Sequence, residues 1–263
     1  TKFSIGVGSA THALHLSMRS LGIGPNDEVI VPTFTFVATA NAVRYCGAKP
    51  VLVDVDQDTF NISLKDLELK ISKKTKALML VHVLGNSANM KKLMNIVKKK
   101  KLILIEDTCE SLGSKFQNKY LGSFGEFSTF SFFISHQISS VEGGMICCKT
   151  REDYEILKAL RSHGFSRGLK NEKMLARKYN KIDSRFLFVN SGFNLRPTDI
   201  QAAIGLNQFK SLDSFVKQRS FNRRKIIKSL MKDKLWNNQV NFLNENKNVK
   251  ASWFGIPILF NKK

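Results

Sequence analysis

The stretch KALMLVHVLGNSANMKKLMNIVKKKKLILIED, Lys76 to Asp107, decides the fold. ALMLV and LILI are almost uniformly apolar, as strands buried on both faces of a sheet must be. Between them, SANMKKLMNIVKKK has the apolar spacing of an amphipathic helix, and Lys98 to Lys101 close its polar side. Strand, helix and strand in this order predict a parallel sheet wrapped by helices.

The same alternation runs outward in both directions. Upstream, FSIGVGS reads as a strand and glycine turn, and ATHALHLSMRSLG as a helix stopped by Gly22. DEVIVPTF is a strand, TFVATANAVRYCG a helix ended by Gly47, KPVLVDVD a strand and LKDLELKI a helix. Downstream, FSTFSFF and GMICCK form a strand pair around FSFFISHQISSVEGG, Phe130 to Gly144. From Asp153 helices dominate, with an irregular basic loop from Phe165 to Tyr179. SWFGIPILF, Ser252 to Phe260, reads as a final strand without a partner in the sequence, which suggests truncation. There is no internal repeat and no low-complexity linker.

Composition narrows the function classes. With 263 residues and 43% hydrophobic content the chain can bury a large core. No apolar run approaches the roughly 20 residues of a membrane helix, and TKFSIGVGSA lacks the features of a signal peptide. Cys46, Cys109, Cys147 and Cys148 show no CxxC spacing, which fits a reducing cytosol and predicts a cytoplasmic protein. The formal charge of +21 suits an anionic partner. The basic runs carry no interleaved aromatics, so they read as solvated lysine faces and predict no specific nucleic-acid binding. A nucleotide diphosphate would also benefit from such a field.

In a sheet of this kind ligands bind at the carboxyl ends of strands and at helix N-termini. Gly8, Ser9 and Ala10 stand at such a turn, where free N–H groups and the helix dipole suit a phosphate. Glu106 and Asp107 end a buried strand, either as helix caps or as carboxylates facing a cationic group. Ser128 and Ser131 lie in the next strand, FSTFSFF, and Ser135 and His136 follow it. The remaining histidines (His12, His15, His82 and His163) form no zinc-ligand pattern with carboxylates, so no metal is expected. No GxSxG elbow or Walker-type loop is present.

Together GSATHALHLSMRSLGIGPNDEVIVPTFTFVATANAVRYCGAKPVLVDVD, IEDTCESLGSKFQNKYLGSFGEFSTFSFF, EGG, RSHG and SGFNLRPTDIQAAIG resemble the DegT/DnrJ/EryC1/StrS sugar aminotransferases and dehydratases over essentially the whole chain. The resemblance implies the type I, aspartate aminotransferase-like fold of pyridoxal phosphate (PLP) enzymes. That is an α/β protein with a mostly parallel seven-stranded sheet flanked by helices and the start of a small C-terminal α+β domain. It further implies a cofactor-binding large domain over residues 1–210. Residues 211–263 would supply a connecting helix and the first strand of the small domain, with the N-terminal segment and most of that domain lacking.

The resemblance also assigns roles. Gly8, Ser9 and Ala10 match the phosphate turn and Ser131 a second phosphate ligand. Phe36 matches the aromatic residue stacked on the pyridine ring, and Asp107 the carboxylate paired with its nitrogen. Asn194 matches a residue that reaches the cofactor of the other subunit in a homodimer. One position departs from the aminotransferase pattern: His136 stands where their lysine anchors the cofactor as an imine. Imidazole forms no stable imine but transfers protons near neutral pH. This is the pattern of the branch of 3-dehydratases that act on nucleotide-linked 4-keto-6-deoxy sugars. They use pyridoxamine phosphate (PMP), a histidine base and an amino donor such as glutamate. Glu110 matches an acidic residue of that branch. One subgroup holds a [2Fe–2S] cluster on four cysteines. Here only Cys109 matches, so no iron–sulfur cluster is expected. The alternatives are a PLP-dependent nucleotide-sugar aminotransferase and a catalytically idle regulatory homologue. GDP and CDP both remain open as the nucleotide.

Overall fold

The computed structural model describes residues 1–233, 236 and 239–261. Its centre is a seven-stranded sheet. The strands are β1 (Phe3–Val7), β2 (Glu28–Pro32), β3 (Lys49–Val53), β4 (Thr75–Val81), β5 (Ile103–Asp107), β8 (Phe127–Ser131) and β9 (Gly144–Cys148). Their order across the sheet is β1-β9-β8-β5-β4-β2-β3. β3, β2, β4, β5 and β8 run parallel, and β9 lies antiparallel between β8 and β1.

Because alternate strand residues face opposite sides, two cores form. Ala77 and Met79 of β4 join Ile105, Phe127 and Leu16 on one face. Leu78 and Leu80 join Leu104, Leu93 and Trp253 on the other. Residues on both faces are thus out of water, as the apolar runs around Lys76 to Asp107 required. Each fully buried leucine contributes about 1.5–3 kcal/mol.

The helices begin where the local chemistry predicts. α1 (Ala10–Ser20) is capped by Ser9, whose Oγ accepts from the His12 N–H at 3.3 Å. α2 (Val37–Tyr45) follows β2, and α3 (Leu64–Lys70) is capped by Ser63. α4 (Met90–Lys100) is capped by Asn89 and stops at Lys101 in the left-handed region. Thr150 caps α5 (Arg151–Arg161). The loop expected to be irregular from Phe165 to Tyr179 contains a helix, α6 (Glu172–Lys178). It escaped notice because it buries no residue and so has no apolar stripe. Thr198 and Gln201 form a capping box at α7 (Asp199–Phe209), and α8 (Leu212–Lys232) follows.

Short strands complete the chain. β6 (Lys115–Phe116) pairs with β7 (Lys119–Tyr120) and with β11 (Val249–Lys250). β12 (Ile258–Phe260) pairs antiparallel with β10 (Val240–Phe242), so the strand expected to lack a partner has one. It is also shorter than expected. Residues 252–257 leave extended pairing to pack into the body of the protein, where Ser252 and Trp253 are buried. Among the described residues no helix is long and apolar enough to cross a membrane.

Candidate active site

The carboxyl ends of β1, β2, β4, β5 and β8 converge on a cavity of about 710 Å³. Its floor is polar: Ser9, Ala10 and Thr11 at the start of α1, Asp107 at the end of β5, and Ser131 at the end of β8. Thr35, Thr39, Cys109, Glu110, Ser135, His136, Glu142 and Gly143 also line it, and the rest of its wall is apolar. The antiparallel strand β9 comes close enough to shape this floor only because its first residue is a glycine. A Cβ at Gly144 would fall 2.4 Å from the Ser9 carbonyl.

Asp107 is buried and held from two sides. Its Oδ1 accepts from the Cys109 N–H at 3.1 Å, and its Oδ2 accepts from the Thr39 hydroxyl at 3.3 Å. That hydroxyl lies 2.7 Å from the Thr35 hydroxyl. Glu110 accepts from the Leu84 N–H at 2.6 Å. Burial pushes its carboxyl above the usual range, the Leu84 bond opposes this, and the Asp107 charge adds to it.

His136 is half-buried between two aromatic rings. Phe133 meets it edge-on with centroids 6.1 Å apart, and Phe254 lies tilted at 5.1 Å. Its Nδ1 is out of water and has no hydrogen-bond partner among the described residues. Burial lowers its pKa from the ordinary 6.5. The Asp107 charge pulls it up and the Arg219 charge pushes it further down. Burial thus favours the neutral imidazole, the form that can accept a proton.

Adjacent residues of β5 serve opposite purposes. Asp107 faces the cavity, whereas Glu106 turns to the other side of the sheet. There its Oε1 accepts from the Phe124 and Gly125 N–H groups at 2.6 and 2.7 Å, and its Oε2 from Gly122 at 2.8 Å. His82 Nε2 lies 2.9 Å from the same Oε2. The possibility that Glu106 faces a ligand is therefore corrected: it organises the loop before β8.

Most of the residues singled out in the sequence come together. Ser9, Ala10, Phe36, Asp107, Glu110, Ser131 and His136 all border the cavity. Phe36 stands at the rim with 74% of its surface exposed. Gly8 lies just behind, its N–H donating to the Leu195 carbonyl at 3.0 Å. Asn194 is exposed and does not border this chain's cavity; its side-chain oxygen accepts from Arg196 at 3.0 Å. Ser128 is buried away from the cavity. Phe254, Thr35, Thr39 and Glu142 border the cavity and were not anticipated. Among the described residues no cluster of three or more potential metal ligands exists.

A helix N-terminus can hold an anion, a buried carboxylate a cation, and a neutral imidazole a proton. The model of the DegT/DnrJ/EryC1/StrS aminotransferase family matches residues 1–263. A GDP-perosamine synthase of Escherichia coli O157:H7 is 36% identical over 98% of this chain and 65% of its own length. A GDP-4-keto-6-deoxy-D-mannose 3-dehydratase of Escherichia coli O55:H7 is 33% identical over 100% of this chain and 68% of its own. Among solved structures, an E. coli GDP-4-keto-6-deoxy-D-mannose-3-dehydratase with bound hydrated PLP superposes with a TM-score of 0.88 at 32% identity. It covers 100% of this chain and 68% of that one. The chain thus spans about two thirds of the length of these relatives, and the fold is that of the PLP-dependent aminotransferases.

Proposed function

Because the chain belongs to the DegT/DnrJ/EryC1/StrS aminotransferase family of PLP-dependent sugar-modifying enzymes, we propose that it is a 3-dehydratase. Its substrate is a GDP- or CDP-linked 4-keto-6-deoxyhexose destined for lipopolysaccharide or a related polysaccharide. The observation that carries this reading is His136, an imidazole that feels the Asp107 charge in the cavity, at the position where the resemblance implies the lysine of transaminating members.

The cavity suits a phosphorylated pyridine. The Ser9–Thr11 turn and the Ser131 hydroxyl would hold the phosphate, and Phe36 would cover one face of the ring. The Asp107 carboxylate would face the protonated ring nitrogen, and Glu110 would complete the polar wall. Bound PMP supplies a primary amine for the sugar's C4 ketone and a ring that accepts electron density. Asp107 would keep that ring nitrogen protonated, because loss of the proton would leave its buried negative charge without a cationic partner. His136 takes a proton at an imidazole nitrogen and hands it to the departing C3 hydroxyl, which leaves as water. The apolar wall, Phe254 included, keeps bulk water from that transfer. A donor such as glutamate would supply the amine and the two electrons that deoxygenation uses, leaving as its keto acid, with ammonia and the 3-deoxy-4-keto sugar as the other products.

A homodimer completes the site in this reading, with the partner subunit's Asn194 reaching the phosphate. Two observations support it: Asn194 does not border its own cavity, and α7 buries none of its residues although Ile200, Leu206 and Phe209 are apolar.

The test is substitution at position 136 in the full protein, supplied with PMP, glutamate and 4-keto sugars. His136→Asn should slow dehydration by roughly 10²–10⁴-fold, the usual worth of general acid–base catalysis, with little change in cofactor affinity. His136→Lys should retain PLP through borohydride reduction and denaturation, which the wild type should not. Dehydration at the wild-type rate by His136→Asn would overturn the reading. So would an aminosugar product from the wild type, the outcome expected of an aminotransferase.

A further inference from the structure

We propose that Phe254 and Arg219 form a clamp that seals His136 from water, making both positioning residues for its proton transfer. The inference rests on the reading of His136 as a base.

The geometry comes from parts of the chain far apart in sequence. The Phe254 ring lies 5.1 Å from the His136 ring, centroid to centroid, and borders the same cavity. Phe254 belongs to neither a helix nor a strand. It is nevertheless fixed, because its N–H donates to the Leu84 carbonyl at 3.0 Å. Arg219 on α8 supplies the other hold. One guanidinium nitrogen donates to the carbonyls of Trp253 at 3.4 Å and Phe254 at 3.1 Å, and its centre lies 6.0 Å from the Phe254 ring centroid.

The flanking residues are anchored as firmly. The Ser252 N–H donates to the Ser114 hydroxyl at 2.8 Å, which in turn donates to the Gly85 carbonyl at 2.8 Å. Trp253 is buried beneath the Arg223 guanidinium, 3.8 Å from its ring centroid, and its Nε1 donates to Glu245 at 3.3 Å. Such attachment makes residues 252–254 a fixed wall. Leu84 also donates its N–H to Glu110, so one backbone turn connects the wall to the cavity's carboxyl group.

An aromatic plate held against an imidazole strips water from one side and disfavours its charged form. The charged and titratable groups around His136 are Asp107 on β5, Arg219 on α8, and Glu110, Cys109 and Glu142 at the cavity wall. Asp107 favours the imidazolium and Arg219 opposes it. Burial is the largest influence, and it lowers the proton affinity. Removing the clamp therefore exposes the ring and leaves the Asp107 attraction less opposed. Both changes favour the protonated, inactive base.

The experiment follows the His136 ring signal by NMR as a function of pH, in the full protein, with the assignment fixed by His136→Asn. The wild-type midpoint should lie below 6.5, and Phe254→Ala should move it up toward that ordinary value. Phe254→Tyr should restore it, since the plate returns, and Phe254→Leu should fall between. Arg219→Met should raise the midpoint in the wild-type background and by less in Phe254→Ala, because part of its action passes through the ring. If Phe254→Ala does not fold by circular dichroism, the Phe254→Leu midpoint decides. A wild-type midpoint at or above 6.5 overturns the proposal, as does one unmoved by Phe254→Ala or Phe254→Leu. Dehydration assays separate the two readings. A movable midpoint in a protein that does not dehydrate sinks the dehydratase alone, and a fixed midpoint in one that does sinks the clamp alone.

Discussion

Replacing Glu106 by Gln tests whether the buried carboxylate, rather than the apolar core alone, holds the loop that delivers β8 to the cavity. Four donors converge on its two oxygens: three backbone N–H groups and, in the matching tautomer, His82 Nε2. Both side chains are fully buried. Burial pushes the Glu106 carboxyl up, but the hydrogen bond from His82 and the N–H groups of Gly125 and Gly122 outweigh it. Its pKa therefore stays below 4.5. Glutamine keeps the shape and loses one acceptor. Its better orientation turns the amide nitrogen toward His82, where the other tautomer can accept, and leaves the Gly122 N–H unpaired. One orphaned buried donor costs about 1–3 kcal/mol, and the bonds that remain lose the strengthening of an ionised acceptor. We expect a total loss of about 2–4 kcal/mol. Urea unfolding followed by circular dichroism at pH 7 reads it as a lower midpoint at unchanged slope. The sign with pH is fixed: a carboxyl with a depressed folded pKa contributes stability above its unfolded value and loses it as pH falls through the folded one. The gap between wild type and Glu106→Gln should therefore be full above about pH 4.5 and close in more acid solution. A loss below about 1 kcal/mol at pH 7 would refute this account of the loop.

Two further outcomes rest on the same geometry. Gly85→Ala should destabilise the protein and loosen residues 252–254. Gly85 has φ +90°, and a Cβ there would fall 2.3 Å from the Ser252 carbonyl oxygen. Hydrogen exchange at Phe254 and Leu84 checks this, and unchanged protection would contradict it. Mixing His136→Asn with Asn194→Ala, each impaired alone, should restore activity, because a mixed dimer contains one site with both residues intact. No recovery after subunit exchange would mean that Asn194 does not serve its partner's site.

The sheet was legible because its strands are buried on both faces, so that ALMLV and LILI carry no polar positions to blur them. The cavity floor was legible for a related reason. Parallel strands deliver their carboxyl ends to one edge, and Ser9, Asp107, Ser131 and His136 each stand just at or beyond such an end. The faces of β5 were harder to read, since Glu106 and Asp107 are chemically alike and only the pleat separates the scaffold carboxylate from the one in the cavity. Phe254 was not legible at all. SWFGIPILF has the aromatic and branched content of a strand, yet Gly255 and Pro257 interrupt it, and its start turns inward to Leu84 and Arg219. No local pattern reports a contact between segments so distant in the chain.

Similarity over the whole chain does not choose between dehydration and transamination, and the reason is physical. Identity to the perosamine synthase is 36% and to the 3-dehydratase 33%. An overall identity does not weigh one position above another, and this chain needs its two apolar sheet faces, capped helices and the glycine where β9 meets the Ser9 turn to fold at all. Those requirements are indifferent to the step after proton removal. The side chain at position 136 is not. A lysine there can bond covalently to an aldehyde and move a proton, whereas an imidazole can only move the proton and must be kept neutral to do so. Neutrality costs solvation, so the residues that matter next surround the ring rather than touch the sugar. That is why Phe254 and Arg219, which carry no reactive group of their own, bear on whether His136 can serve as a base.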